Sequence, residues 1–265
     1  MFDWWWAYLA LGAFVGFFAG LLGIGGGAAM VPVLAFIYAA KGFDAAQVVH
    51  LALGTSMATI LFTSVSSVRA HHAHGAVNWA AVKRMAPGIV AGTFGGALLA
   101  SVLDVRLLSV VFTLLIYYIS SQMFFGKKPE AAALPMTAGR THLTSALIGV
   151  ISSLTATGGA ALVVAYLVKR GIRIHEGIGT AAAIGWPLAA AGTAGYVLAG
   201  LGRQGMPDWS IGYVYLPGLA GIVVASMLLA PVGAKLAHRT PGATLKKIFA
   251  ALLFALATKM LISFF

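Results

Sequence analysis

Apolar runs near twenty residues long recur along the chain, separated by short polar loops. About twenty apolar residues in a helix span the roughly 30 Å hydrocarbon core of a bilayer. Lipid offers no partner for backbone N–H and C=O groups, so such a run must satisfy them within itself as a helix. Hydrophobic residues are 60% of the chain and charged residues only 9%, against roughly 25% charged in a soluble domain. The expected fold class is therefore an all-α polytopic membrane protein. There is no cysteine, which excludes disulfides and thiolate chemistry. The net charge of +11 does not imply nucleic acid, because the basic residues sit in short loops between apolar runs rather than on one face. The first residues lack the basic segment of a signal peptide, and Trp4, Trp5 and Trp6 read as an interfacial aromatic belt.

The chain also repeats itself. At an offset of 132, Gly26-Gly27-Ala28-Ala29-Met30-Val31 matches Gly158-Gly159-Ala160-Ala161-Leu162-Val163. At 125, His50 and Gly54-Thr55 match His175 and Gly179-Thr180. At 130, Asn78-Trp79 matches Asp208-Trp209, and Pro87-Gly88 matches Pro217-Gly218. The landmarks keep their order, which divides the chain into a first repeat (1–125), a cytoplasmic linker (126–140) and a second repeat (141–265). Each repeat reads as a first segment, a glycine break, a short segment and three fuller spans. The short segments, 28–40 and 160–168, reach only about 20 and 14 Å as helices, too short to cross. Each is read as one arm of a glycine-turned helical hairpin that returns to the side it left.

Charge supports that topology. With hairpins, the second repeat is inverted relative to the first. Thirteen basic residues then share one side: Arg69, Lys83, Arg84, Lys127, Lys128, Arg140, Lys169, Arg170, Arg173, Lys235, Arg239, Lys246 and Lys247. Only Lys41, Arg106 and Arg203 fall on the other, with Lys259 inside the last apolar run. A kinked single span in place of each hairpin would divide them seven against nine. The positive-inside rule makes the thirteen cytoplasmic, and both termini are expected outside the cytoplasm of a bacterial inner membrane.

Inverted repeats with broken helices are an architecture of secondary transporters, with the substrate bound near the bilayer midplane. The two hairpin tips, Gly25-Gly26-Gly27 and Thr157-Gly158-Gly159, are expected at similar depth. A helix starting at a bare glycine turn offers unpaired N–H groups and the positive end of its dipole, which suits an anion. Thr55, Ser56 and Thr180 would add hydroxyl donors. Hydroxyls in such spans serve either as interhelical glue or as ligands, and the repeat keeps both readings open for Thr55 and Thr180. Gly12-x-x-x-Gly16 and Gly88-x-x-x-Gly92 read as close helix packing instead. His50 and His175 are candidates for gating or proton-linked roles, with helix-start packing as the alternative.

The remaining polar residues read as structural. None of the six acidic residues lies inside an expected span, which argues against a carboxylate relay. Asp44 fits a capping box with Gln47. His71-His72-x-His74 falls in a loop without carboxylates, so no metal site is expected, and no cofactor. Lys259 would snorkel to the interface, and Trp186-Pro187 would kink its helix. A membrane enzyme would need a buried Ser–His pair, a carboxylate dyad or a metal set, and no span offers one.

The run Gly20-Leu21-Leu22-Gly23-Ile24-Gly25-Gly26-Gly27 continues into Met30-Val31-Pro32. Leu53-Gly54-Thr55-Ser56 follows, then His74-Gly75 and Val77-Asn78-Trp79. This order resembles the TauE/SafE family of sulfite exporter permeases over essentially the whole chain. The resemblance implies a permease moving sulfite or an organosulfonate such as sulfoacetate out of the cell. Import of a sulfur-containing or carboxylate anion, with or without proton coupling, is the alternative. The second half departs from the pattern, with Ala156-Thr157-Gly158-Gly159 at the break and Ala181 where the first half has Ser56. The expected partners are a small anion and the bilayer; no oligomeric state follows.

Overall fold

A computed structural model describes residues 4–22, 27–125, 137–237 and 242–263. Ten helices lie among the described residues, five in each repeat. The first five are α1 (Trp5–Leu22), α2 (Gly27–Ala40), α3 (Val48–Ala73), α4 (Trp79–Val102) and α5 (Val105–Phe125). The second five are α6 (Ala138–Thr155), α7 (Ala160–Lys169), α8 (Ile174–Gly200), α9 (Leu216–Ala237) and α10 (Gly242–Ser263). The protein is an all-α membrane protein, and α3, α4, α5 and α8 are each long and apolar enough to cross a bilayer. The short arms stay short: α7 has 10 residues, about 15 Å of helix.

Helix packing pairs the repeats with one another. Met57 meets Gly192 while Ser64 meets Gly185, so α8 runs antiparallel to its counterpart α3. Tyr117 stacks on Phe254 at 4.2 Å, and Lys247 lies over Phe124, so α10 likewise runs antiparallel to α5. The other two contacts are exchanged: α1 lies along α9, and α6 along α4. Glycine makes these approaches close. A Cβ on Gly12 or Gly16 would strike the α9 backbone at Ile222 or Ser226, and one on Gly88 or Gly92 would strike α6 at His142 or Ala146. With little hydrophobic drive between helices in lipid, such backbone contact supplies dispersion energy instead. α3 is the most enclosed spanning helix, whereas α4 and α5 present Leu98, Leu99, Val102, Leu114 and Phe125 outward, a face suited to lipid.

Several local expectations are corrected. α3 continues to Ala73, so His71 and His72 belong to its last turn rather than to a loop. Asp44 makes no capping box; its Oδ1 accepts the Ala46 N–H two residues on, an Asx turn, and Gln47 is the helix cap without a side-chain bond. Glu176 lies in the first turn of α8, not before it. The match of Asp208-Trp209 to Asn78-Trp79 does not carry over into structure. Asn78 caps α4, its Oδ1 accepting the Ala81 N–H at 2.9 Å. Trp209 instead precedes a hairpin of β1 (Ser210–Ile211) and β2 (Val214–Tyr215), and α9 starts only at Leu216. Losing the Asn78 cap by substitution with alanine should lower stability by about 1 kcal/mol, read as a fall in the melting temperature of the detergent-solubilised protein. α8 continues through Pro187, and Lys259 places its ammonium 4.8 Å from the centre of the Phe36 ring.

Candidate functional site

The second hairpin turn is built from three left-handed residues. Ala156 (φ 47°), Gly158 (φ 68°) and Gly159 (φ 68°) reverse the chain between α6 and α7. Ala156 adopts this conformation without being glycine, a strain of roughly 1–2 kcal/mol that the surrounding contacts hold. One of those contacts is the other hairpin: Gly27, the first residue of α2, packs directly against the Ala156 carbonyl. Ile60 of α3 lies against both Gly27 and Gly158. The start of α2 therefore meets the turn between α6 and α7. Gly25 and Gly26 lie outside the described residues.

Around this meeting point the side chains are uncharged. Ser56 stands one helical turn before Ile60 on α3, is fully buried, and its Oγ has no hydrogen-bond partner. Ser152 is also fully buried and unpartnered. A Cβ built on Gly159 would stand 2.9 Å from its Oγ and equally close to Leu188 Cδ1. Thr157 shares a hydrogen bond with Thr155 at 3.1 Å. No side chain caps the start of α7, whose first N–H groups lack helical acceptors. An unmade bond on a buried hydroxyl costs about 1–3 kcal/mol, and of Ser56 and Ser152 only Ser152 lies directly against the uncapped start of α7. Ser152 escaped the sequence reading; the Ser152-Ser153 pair closing an apolar helix before the glycines was the available signal.

Thr55 and Thr180 have another employment. Thr55 Oγ1 accepts the Tyr215 N–H at 3.0 Å and the Tyr38 hydroxyl at 3.2 Å. Thr180 Oγ1 accepts the Asn78 N–H at 2.9 Å and donates to the Glu176 carbonyl at 2.7 Å. Both oxygens thus hold the backbone leading into a helix of the other repeat, α9 or α4. The repeat-matched histidines diverge. His175 is exposed on the first turn of α8. His50 is buried, its Nε2 3.1 Å from the Ala100 and Leu103 carbonyls at the end of α4, and its ring stacks on Tyr213 at 5.1 Å. His50, Gln47, Arg203 and Tyr213 line a pocket of about 470 Å³ at that end of the molecule. Among the described residues no group of three or more metal-ligating side chains occurs.

Antiparallel counterpart helices with short arms that pack together inside the molecule suit a membrane transporter, and comparison with known proteins shows that class. Residues 8–260 match the family described as sulfite exporter TauE/SafE, and the chain belongs to that family. It is 36% identical over 253 residues to a probable membrane transporter protein of Haemophilus influenzae, covering 95% of this chain and 96% of that one. It is 25% identical to the probable membrane transporter protein YdhB of Bacillus subtilis, over 88% of this chain and 90% of that one. A probable membrane transporter protein of Methanocaldococcus jannaschii is 26% identical, over 79% of this chain and 77% of that one. No solved structure matches the chain. The protein is a multi-pass membrane transporter and not an enzyme.

Proposed function

We propose that the chain exports a small sulfur oxyanion, sulfite or an organosulfonate such as sulfoacetate, from the cytoplasm by alternating access. The two repeats lie in the membrane in opposite orientations, with both termini outside. The substrate sits where Gly27 meets the Ala156–Gly159 turn, held by helix N-termini and by the hydroxyls of Ser56, Ser152 and Thr157. One observation carries this reading: the start of α2 at Gly27 packs against the left-handed turn before α7, with the buried, unpartnered Ser152 hydroxyl beside Gly159 and that of Ser56 one helical turn from Ile60. The antiparallel run of α3 against α8 and of α5 against α10 is what opposite orientation of the repeats requires.

The driving force needs no coupling ion. Among the described residues the carboxylates are Asp44, Asp104 and Asp208 in loops and Glu176 in a first helical turn, none at mid-span. An inside-negative potential contributes about 2.3 kcal/mol per charge per 100 mV, which for a monovalent anion sustains a roughly fifty-fold outward gradient at 1.4 kcal/mol per tenfold. In proteoliposomes, sulfite or sulfoacetate flux should follow an imposed voltage with no pH gradient present. Flux that ignores voltage and follows a pH gradient would overturn electrogenic export and favour proton coupling.

A further inference from the structure

We propose that the repeated Gly-Thr pairs are the two gates of the transporter, each latching the loop of the opposite repeat; this deepens the alternating-access reading above and rests on it. The geometry is the same at both places. A Cβ on Gly54 would strike the Tyr213 carbonyl, and two residues further along Tyr215 donates its N–H to Thr55. A Cβ on Gly179 would strike the Ala76 carbonyl, and two residues further along Asn78 donates its N–H to Thr180. In each case glycine admits the carbonyl of an incoming strand of chain, and the next residue's hydroxyl fixes the N–H two positions on. The loops so held, 74–78 and 212–215, are not alike in sequence or conformation, since only the second is a β-hairpin. What the repeat preserved is the receptor on α3 and α8.

The latches lie on either side of the proposed substrate site. Because α3 and α8 are antiparallel, the residue facing Thr55 on α8 falls near position 194, about fourteen residues or 20 Å of helix from Thr180. Ile60 and Leu188, which mark the hairpin tips, lie between these levels. Both latches are closed in this structure. The Thr55 latch stands at the end carrying Arg203, with the roughly 470 Å³ pocket outside it. The Thr180 latch stands at the end carrying Arg173, and Glu176 reinforces it by accepting the Asn78 side-chain N–H at 2.8 Å. Opening one latch while the other holds gives each side its turn without any charged side chain moving through the bilayer.

The chain has no cysteine, so a single Ser56→Cys reports access to the buried site. Thiol-reactive, membrane-impermeant reagent is applied to either face of sealed vesicles. Adding Thr55→Val removes the hydrogen bonds from the Tyr215 N–H and the Tyr38 hydroxyl; only the first ties the loop, and its loss is a shift of about tenfold in population. It should speed labelling from the non-cytoplasmic face by about that factor and leave the cytoplasmic face unchanged. Thr180→Val should do the reverse, and Thr55→Ser or Thr180→Ser should restore the slow rate. Gly54→Ala and Gly179→Ala keep the hydroxyl while displacing the loop, and each should reproduce the side preference of its neighbour; they stand in should a valine variant fail to fold. Labelling in folded variants that stays slow, or that rises equally from both faces, overturns the gates. Labelling is read without substrate, so absent oxyanion flux in the wild-type chain would sink the export reading while leaving the latches measurable.

Discussion

Replacing Gly92 with leucine should unfold the protein or leave it aggregated on size exclusion, while Gly95→Leu on the same helix should behave like the wild type. The contrast tests whether backbone contact between α4 and α6 holds the repeats together. A Cβ on Gly92 would overlap the Ala146 backbone, which has no rotamer to move, whereas one on Gly95 would meet nothing within 4 Å. Overpacking a soluble core costs about 1–3 kcal/mol because side chains yield; here two helices must separate, and a leucine asks for more room than a Cβ. Without a strong hydrophobic drive between helices in lipid, the lost van der Waals contact has little to replace it. Gly16 should respond in the same way against Ser226 on α9. Equal melting temperatures for Gly92→Leu and Gly95→Leu would show that the exchanged contacts are incidental to stability.

The second large effect concerns binding. Gly159→Leu should abolish the rise in melting temperature that sulfite or sulfoacetate confers, in a protein that still runs as a folded species. Gly159 has φ 68°, so any side chain adds a backbone strain of about 1–2 kcal/mol, and this one would also crowd Ser152 Oγ. Gly202 supplies the control: its φ is 72° but a Cβ there meets nothing. Gly202→Leu should carry a similar strain and keep ligand-induced stabilisation, worth about 2.7 kcal/mol at a hundredfold excess over the dissociation constant. If both variants keep that stabilisation, the anion does not sit at the α7 start. If both lose it, backbone strain rather than the site explains the loss.

These two glycine classes show how far the sequence could be read. Gly88-x-x-x-Gly92 announces packing because a spacing of four puts both residues on one helix face, and the structure seats that face on α6. The glycine pair at 158–159 announces a turn because consecutive glycines favour leaving the helix, and both adopt left-handed backbone. Ala156, the third left-handed residue, carries no such mark; only its packing against Gly27 forces it. The short hairpin at 210–215 was equally hidden, since two-residue strands give no alternation to detect. In hindsight Tyr213, Val214 and Tyr215 beside Gly212 were its trace.

The threonines mark the boundary most clearly. Sequence located Thr55 and Thr180 as a matched pair, because the two halves repeat the same landmark residues in the same order. It left open whether their oxygens face a ligand or a backbone, because a hydroxyl's partner is set by what packs against it. The acceptors' partners, Tyr215 and Asn78, lie 160 and 102 residues away in sequence, and no local pattern encodes such a distance. The chain by itself determined the apolar spans, the matched landmarks of its two halves, the short segments after the glycine breaks and the uncharged character of those breaks, all of which follow from local length, composition and backbone freedom. Tertiary structure alone decided that α1 crosses over to α9 and α6 to α4, that His50 is buried while His175 is exposed, and that each Gly-Thr pair grips the other repeat. Those outcomes depend on which helix faces meet, and that is settled only when all the helices pack together.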